Sequence, residues 1–449
     1  MSLSHDIAEQ AAAVGWEALP PAAQHAARLC LADALAVMLA ATRREPATTA
    51  FADQARSYGT GDATLLAGGT APAPAAALAN GALSHALDFE DTFDTAGLHV
   101  NAAAVPVVLA LGEVAHADLG QVLTALALGG DLACRLGLSL AEDPATRGWY
   151  HPPMIGAIGA TLAGAKVMGL SPERTATALS LTLVQFSLTD ALKRSPASDL
   201  RAVRDAFAAR AATEAVMLAA RGVTGTADAL GEVGGIGHLL SGSAPDPTAF
   251  ADFGARFHTA DLTLKLWPCC RGTHGAIALA LALADQGISA TDIAEGAFTL
   301  EPPDDMLFEP RADRLRPATA IAAKFSIPFC FAHSLLYGAP SMSSFDEPAR
   351  EDPATLDCAA RITLAQCGVG LGESARLTLR DGGVLERELP PAPRLIAGET
   401  TFDALASKFD DCLGESPARH VLRSLETAPP TLSIRALMAR IAPPQPNHR

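Results

Sequence analysis

A long succession of alanine-rich, apolar segments occupies the first part of the chain and restricts the folds that it can adopt. These segments run from residue 73 to about residue 169, and the pairs Gly129-Gly130 and Pro152-Pro153 interrupt them. Hydrophobic residues make up 49% of the 449 residues, whereas aromatic residues make up only 5%. Many small side chains with few large rings favour closely packed helices over a β-sandwich. The sequence therefore predicts a large, all-helical domain.

The pattern of the sequence changes after Cys270. Residues 297–301 have the pattern of a strand, and the segments on either side of Asp381-Gly382 alternate as the two strands of a β-hairpin do. Helical patterns return from Phe402, and a frayed tail is predicted from residue 443. We therefore expect a mainly α fold in which a smaller α+β domain is inserted into the helical one. The predicted segments are 1–270 and 395–449 for the helical domain and 271–394 for the α+β domain.

The balance of charge argues against two classes of partner. The formal net charge is -16, and only five lysines occur in the chain. Such a chain is poorly suited to nucleic acid or to an anionic membrane surface, although a few buried cations can still bind a small anionic substrate. The eight cysteines show no disulfide spacing, the N-terminus has no secretory pattern, and no apolar run is long enough to predict a membrane span. We therefore expect a cytoplasmic protein that acts on a small molecule.

Titratable residues are concentrated between two apolar runs, in residues 80–99. The stretch holds four carboxylates and two histidines, namely Asp88, Glu90, Asp91 and Asp94 with His85 and His99. Carboxylates and imidazoles beside apolar segments are candidates for perturbed pKa values and for acid/base catalysis. The alternative is a solvated loop or a helix cap.

Two further segments carry polar residues next to apolar helices. Tyr150 and His151 directly precede Pro152-Pro153, where an imidazole could take part in catalysis or serve a structural role. Residues 193–204 bring together four cations in a chain that has few, namely Lys193, Arg194, Arg201 and Arg204. Because arginine binds planar carboxylates in bidentate fashion, this segment could hold an anionic substrate. It could instead form a solvated face.

A lysine and a pair of cysteines form another motif. Lys265 lies beside Trp267, where poor solvation would lower its pKa and make it a possible base, unless it is an ordinary surface lysine. Cys269-Cys270 follow, but adjacent cysteines are poor chelators and no second pair stands at ligand spacing, so we predict no metal site. Lys324 precedes a further helix start, either as a site residue or as an exposed lysine.

Four motifs follow one another in an order that is specific to one family. They are Asn80-Gly81 with residues 85–92, His151-Pro152 before a Gly/Ala-rich helix, residues 265–270 with His274, and Lys324 with the Phe-Ser-Ile-Pro after it. Together they resemble the MmgE/PrpD family, whose known members include 2-methylcitrate dehydratase, cis-aconitate decarboxylase and iminodisuccinate epimerase. The resemblance covers most of the chain. It implies a helical domain built from both chain ends, a smaller α+β lid domain, a homodimer and no cofactor.

The resemblance also implies a chemistry and a set of site residues. The shared reaction is removal of a proton α to a carboxylate, or protonation at that carbon, in a small di- or tricarboxylate. Matching the motifs assigns acid/base roles to His99 and His151, an orienting role to Asp88, and carboxylate binding to Lys265 and Arg201. Our candidate residues are His99, His151, Lys265, Asp88 and Tyr150 for catalysis and Thr92, Arg201, His274 and Lys324 for substrate binding.

Departures from the family pattern keep the reaction type open. Phe329 stands where the family has a tyrosine, and Arg201 stands where a pocket lysine often occurs. Loss of the tyrosine hydroxyl removes a donor that could protonate a leaving group, which favours an epimerase of the iminodisuccinate epimerase type. The larger share of lyases among known members favours a dehydratase or decarboxylase, which is the leading hypothesis. A non-catalytic organic-acid-binding protein is the alternative from another class.

Overall fold

Two units make up the fold, and each is assembled from separate parts of the chain. The computed structural model describes residues 2–442 except 186 and 197. The first unit contains Met1–Asp190, Ala202–Leu264 and Leu395–Arg449, and the second contains Ala191–Arg201 and Lys265–Arg394. The segment Ala191–Arg201 thus falls in the second unit, whereas the sequence prediction placed it in the helical domain. The predicted frayed tail from residue 443 lies outside the described residues.

Helices account for 59% of the chain and strands for 9%, which confirms the predicted mainly α fold class. Helices of the first half are α1 Leu3–Ala13, α2 Pro21–Arg44, α3 Ala47–Ser57, α4 Ala73–Ser84, α5 Val100–Val114, α6 Leu119–Leu138, α7 His151–Val167, α8 Pro172–Leu183, α9 Leu200–Val203 and α10 Asp205–Ala220. Those that follow are α11 Ile236–Ser241, α12 His274–Asp285, α13 Arg311–Leu315, α14 Ala320–Lys324, α15 Ile327–Tyr337, α16 Glu347–Arg350, α17 Pro353–Ala360, α18 Ala406–Leu413, α19 Pro417–Arg423 and α20 Ile434–Ile441.

The described strands are short, and the four longest of them lie in the second unit. They are β1 Ala63–Thr64, β2 Thr70–Ala71, β3 Thr263–Leu264, β4 Ile293–Leu300, β5 Ile362–Cys367, β6 Ser374–Leu379, β7 Val384–Glu388 and β8 Leu395–Ile396. In the second unit a four-stranded sheet has the order β5-β4-β6-β7, with β4 and β5 parallel and the other neighbours antiparallel. The predicted hairpin is confirmed as β6 and β7, and Gly382 in its turn has the positive φ of 90° that glycine adopts at no steric cost.

Helix α2 forms part of the core of the first unit. It begins at Pro21, where the missing proline N–H costs no intrahelical hydrogen bond. By length and composition alone α2 is apolar enough to cross a membrane, but 83% of its apolar window is buried inside the protein. A polar residue, Asp33, lies in the middle of this buried surface and is 0% exposed. The helix therefore has the environment of a core helix.

Two close approaches between helices position the polar residues of the first unit. Where α6 meets α7, a Cβ atom added to Gly159 would lie 2.4 Å from the Gly129 carbonyl oxygen, so both positions require glycine. Where α4 meets α10, a Cβ atom on Gly81 would lie 2.9 Å from the Cα atom of Ala206. This second contact brings the start of α10 against the last turn of α4. It thereby places Arg204 and Asp205 near the polar loop that follows α4.

Candidate functional site

The acidic stretch forms the loop between α4 and α5, and its charged residues are buried. His85, Asp88, Glu90 and Asp91 are each at most 1% exposed, so the alternative of a solvated loop is wrong. Asp88 has a left-handed backbone with φ of 50°, and its N–H donates to the His85 carbonyl at 2.8 Å. Left-handed backbone is uncommon outside glycine, but aspartate is among the residues that adopt it most readily. The resulting turn carries the chain from His85 back to Glu90.

A single carboxylate oxygen lies between two imidazoles in this loop. Glu90 Oε1 contacts His85 Nδ1 and lies 2.9 Å from His99 Nδ1. The two imidazole ring centres are 4.8 Å apart. His99 is the residue before α5, and 16% of its side chain is exposed, whereas that of His85 is 0% exposed. Within this pair, His99 is therefore the imidazole that an outside molecule can reach.

The contact with Glu90 fixes the tautomer of His99. An ionised carboxylate can only accept hydrogen bonds, so the Nδ1 atom that faces Glu90 carries the proton. The Asp91 carbonyl, 3.3 Å from the same nitrogen, is a second acceptor for that N–H. The neutral ring then presents an unprotonated Nε2 that can accept a proton from a bound molecule. A carboxylate behind an imidazole also stabilises the imidazolium that this transfer creates.

An arginine balances part of the negative charge of the cluster. Arg204, which directly precedes α10, is 2% exposed and places Nη2 3.5 Å from His85 Nδ1. Its guanidinium carbon lies 5.1 Å from the centre of the Tyr150 ring, and its Nε lies 3.7 Å from Asp205. Burial alone would lower the pKa of Arg204, but Tyr150 and the surrounding carboxylates raise it. The Arg204 side chain therefore stays protonated in the interior of the first unit.

Burial shifts the pKa values of three groups around His99. Burial, together with the Arg204 cation, lowers the pKa of His85 to about 3, although Glu90 acts in the opposite direction. Burial and neighbouring carboxylates raise the pKa of Asp91 to about 7. Burial raises the pKa of Asp205 to about 6, against the lowering effect of Arg204. At neutral pH, His85 is thus a neutral hydrogen-bond donor, and Asp91 is close to its titration point.

The raised pKa of Asp91 predicts a pH-dependent stability. Between the usual pKa of 3.8 and about 7, the folded chain holds a proton that the unfolded chain releases, so the free energy of unfolding falls as pH rises through this window. Asp91→Asn removes that titration. We expect the stability of the variant relative to the wild type to rise with pH between 3.8 and about 7, by up to about 1.4 kcal/mol per pH unit, and to level off above that window. Denaturant unfolding at several pH values measures this, with the exposed Asp53→Asn as the control, and parallel pH profiles would contradict it.

Of the other candidates in the first unit, His151 and Thr92 have defined hydrogen-bond partners. His151 is half-buried at the first position of α7, and its Nε2 lies 3.3 Å from the Ala96 carbonyl, in the same loop as His99. Thr92 is buried, donates from Oγ1 to Asp94 at 2.6 Å and lies 2.8 Å from the Thr263 hydroxyl. The Thr92 hydroxyl proton is thus engaged inside the unit, which leaves its oxygen as an acceptor.

The candidates Lys265, Arg201, His274 and Lys324 lie in the second unit. Each of the four is at most 2% exposed, so the alternatives of a surface lysine and of a solvated face are wrong for these residues. Lys324 Nζ lies 5.2 Å from the centre of the Phe345 ring. His274 stacks at an angle on Trp267, with ring centres 5.0 Å apart.

Arg201 is close to a second buried arginine that the sequence did not reveal. The guanidinium carbon of Arg201 lies 3.6 Å from the centre of the Phe325 ring, and Arg201 Nη1 donates to the Leu192 carbonyl at 3.3 Å. Arg314 is 1% exposed, and burial together with the charge of Arg201 lowers its pKa to about 10. Two buried cations that repel one another would both be stabilised by a bound anion.

Comparison with known protein families shows two domain matches that together cover most of the chain. The MmgE/PrpD N-terminal domain matches residues 5–248, and the MmgE/PrpD C-terminal domain matches residues 267–420. This chain belongs to the MmgE/PrpD family. The membership confirms the resemblance found in the sequence motifs, and the loop that carries Glu90 and His99 lies within the N-terminal match.

Several curated relatives of this MmgE/PrpD chain are named as cis-aconitate decarboxylases or as similar to them. A cis-aconitate decarboxylase-like protein, oryM of Aspergillus oryzae, is 25% identical over 301 residues, which are 62% of this chain and 62% of the relative. Human cis-aconitate decarboxylase is 25% identical over 304 residues, which cover 65% of this chain and 61% of the relative. Cis-aconitate decarboxylase of Aspergillus terreus is 27% identical over 217 residues, covering 45% and 44%. The chain thus spans about three fifths, or less, of each of these relatives.

The buried cluster of this MmgE/PrpD protein also resembles a metal site in its residue types. The ligating atoms of His85, Asp88, Glu90 and His99 all lie within 4.8 Å of one another, so these four side chains could hold an ion. Two features act against a cation there. Glu90 already accepts from both imidazoles, and the Arg204 guanidinium lies 3.5 Å from His85 Nδ1. Metal-independent chemistry therefore stays our prediction.

The main difference from the sequence prediction concerns the group that orients the imidazole. Matching the motifs gave this role to Asp88, but Asp88 Oδ1 lies 3.9 Å from His85 Nε2, while Glu90 makes the close contact with His99. Glu90 was named in the motifs without a role in the site. Arg204 was named as one of four cations that could hold an anionic substrate, but it was not among the candidate residues. The spacing in the loop could not distinguish Asp88 from Glu90, because the left-handed turn at Asp88 decides which carboxylate faces the rings.

Proposed function

We propose that this MmgE/PrpD protein is a cofactor-independent lyase that acts on a small di- or tricarboxylate. The observation that carries the proposal is the contact of Glu90 with His99 Nδ1 at 2.9 Å, on an imidazole whose side chain is 16% exposed. This contact leaves His99 Nε2 as a positioned proton acceptor beside a buried cationic and acidic cluster. The curated relatives named cis-aconitate decarboxylase support the reaction class.

In the proposed reaction, His99 transfers a proton at the carbon α to a carboxylate. Glu90 stabilises the imidazolium, and Arg204 limits the negative charge that the buried carboxylates would otherwise place beside it. A positioned acid/base group of this kind contributes about 100- to 10,000-fold to a rate. His151 is the proposed second acid/base group, with Tyr150 as a neighbouring hydroxyl donor. Decarboxylation would break the bond to a carboxylate carbon and add a proton in its place, whereas dehydration would expel a hydroxyl group as water.

Buried cations supply the proposed carboxylate binding. Arg201 and Arg314 are both buried in the second unit, and both contact Met306. A bound carboxylate would relieve the repulsion through which Arg201 lowers the pKa of Arg314. The roles of Lys265, His274, Lys324 and Thr92 in binding the substrate remain proposals from the family motifs.

An epimerase is the second candidate function. Phe329 occupies the position of the family tyrosine, is 0% exposed and packs in a core cluster with Trp267 and Phe345. It offers no hydroxyl to protonate a leaving group, and an epimerase needs none. An epimerase needs two acid/base groups on opposite faces of one carbon, and His99 and His151 are two candidates.

Proton NMR in deuterated water separates these functions. The protein would be incubated with cis-aconitate and with a panel of hydroxylated and aminated di- and tricarboxylates, with His99→Ala as the control. A lyase gives a changed carbon skeleton or a new alkene signal, with carbon dioxide or water released. Loss of an α-proton signal from an otherwise unchanged acid would contradict the lyase and identify the epimerase. Thermal stabilisation by an acid that undergoes neither change would indicate a binding protein.

We also propose a homodimer in the cytoplasm, without nucleic acid or membrane partners. The proposal follows from the family motifs and from the net charge of -16. Light scattering during size-exclusion chromatography tests the oligomeric state.

A further inference from the structure

A lysine from the last part of the chain reaches the loop that carries Glu90. Lys408, on α18, is 3% exposed, and its Nζ donates to the Phe89 carbonyl at 2.6 Å. The same Nζ lies 2.6 Å from Asp33 Oδ1 on α2, where Asp33 is 0% exposed. It also lies 4.2 Å from the centre of the Phe89 ring. The ammonium group therefore contacts both the backbone and the side chain of one loop residue.

The residue that Lys408 holds is the one between Asp88 and Glu90. Asp88 has a left-handed backbone, which a non-glycine residue keeps only when its surroundings enforce it. Phe89 follows directly, and its ring is 1% exposed, so neither its carbonyl nor its ring can move freely while Lys408 is present. A rotation of the Phe89 peptide would displace Glu90, the carboxylate that sets the tautomer of His99. The position of Glu90 thus depends on a contact made by a helix 319 residues away in sequence.

We propose that Lys408 is a positioning residue for the acid/base group, acting through the Phe89 backbone on Glu90 and His99. Asp33 neutralises the buried ammonium group and keeps it directed at the Phe89 carbonyl. The inference rests on the proposed function, because it assigns a supporting residue to the same site. A merely structural ion pair between α2 and α18 is the competing explanation. That explanation predicts that stability and turnover will change together.

Two double variants with the same net charge separate the two explanations. Asp33→Asn with Lys408→Met removes both buried charges, so no uncompensated ion remains, but the Phe89 carbonyl loses its donor. Asp33→Asn with Lys408→Gln is also neutral, and the glutamine amide can still donate to that carbonyl. Lys166→Met is the control for loss of a partly buried lysine, because Lys166 Nζ donates to the Ala11 and Ala12 carbonyls at 2.8 and 3.0 Å on another helix.

The expected results follow from the position of the Phe89 carbonyl. We expect the Met double variant to melt close to the Gln double variant, with kcat lower than wild type by about 10- to 100-fold and KM little changed, because small misplacements of a reacting group cost rate. The Gln double variant should recover part of that loss. Lys166→Met should lower the melting temperature and leave kcat unchanged. Equal kcat values in both double variants, or a kcat that simply follows the melting temperature, would overturn the proposal.

A spectroscopic measurement tests the same inference without any substrate. In protein labelled with ¹⁵N-histidine, the Nδ1–H of His99 that donates to Glu90 should give a downfield proton signal protected from exchange. We expect this signal to weaken or disappear in the Met double variant and to persist in the Gln double variant and in Lys166→Met. An unchanged signal in the Met double variant would contradict the positioning role. Because the signal needs no turnover, a failure of the proposed lyase activity would leave this result interpretable.

Discussion

Replacing His99 with alanine should lower turnover of a verified substrate by about 100- to 10,000-fold, with the fold retained. The imidazole makes its close contact with Glu90 through Nδ1 at 2.9 Å and makes no side-chain capping bond to α5, so its removal leaves the helix start intact. The loss should fall on kcat, since the proton transfer itself is affected. His151→Ala should cause a loss in the same range, because a second group must supply or receive the other proton. Steady-state kinetics with each variant measures both effects.

A third histidine provides the matched control for these two variants. His25 is also partly buried in the first unit, and its Nε2 lies 2.7 Å from the Thr400 carbonyl, much as His151 faces the Ala96 carbonyl. His25→Ala should lower the melting temperature and leave kcat near the wild-type value. The assignment of His99 and His151 is wrong if both of their variants keep near-wild-type rates.

The second large effect is expected on stability, from Arg204→Met. Methionine keeps an apolar stem of similar length, but it leaves Asp88, Glu90 and Asp205 buried without the cation that faces them. Removing one partner of a buried charge cluster typically costs about 3–5 kcal/mol, because the remaining ions stay desolvated. We therefore expect a loss of this size in the free energy of unfolding at neutral pH, measured by denaturant titration.

An arginine on α10 itself separates the effect of burial from that of charge. Arg210 pairs with Glu214 at 3.5 Å, and the two side chains are 45% and 37% exposed. Arg210→Met should change the free energy of unfolding by no more than about 0.5 kcal/mol, as surface substitutions do. Losses of equal size in Arg204→Met and Arg210→Met would show that the buried cluster does not depend on its arginine.

Local patterns in the sequence predicted the parts of the fold that local forces determine. Alternation around Asp381-Gly382 predicted the β6–β7 hairpin, because the turn fixes which residues pair. The start of α2 at Pro21 is likewise a local feature, because proline at the first helical position costs no intrahelical hydrogen bond. Both features depend on residues within a few positions of one another.

The candidate site was predictable in its residue types but less so in its contacts. The carboxylates and histidines of the stretch 80–99 made it a candidate for acid/base catalysis in the sequence analysis. That Glu90, and not Asp88, contacts His99 depends on one left-handed residue, and that Arg204 faces His85 depends on the close approach of α4 to α10 at Gly81. Lys408 could not be assigned, because no spacing rule joins residues 319 positions apart. The acidic Asp33 within an apolar run, together with the scarcity of lysines, is a sequence signal that could have indicated a distant partner.

The long separation between Lys408 and Phe89 has a consequence for the order of events during synthesis. Chains grow from the N-terminus at about 5–20 residues per second, and domains tend to fold as they emerge. Helices α4 to α10 can pack before the second unit has been made, yet the Phe89 carbonyl and the Asp33 carboxylate then have no ammonium partner. Both groups acquire it only once α18 has left the ribosome. A nascent chain stalled before α18 should therefore pack helices α4 to α10 without the Lys408 contact that positions the acid/base loop. The chain would become competent for proton transfer only after the second unit has been translated.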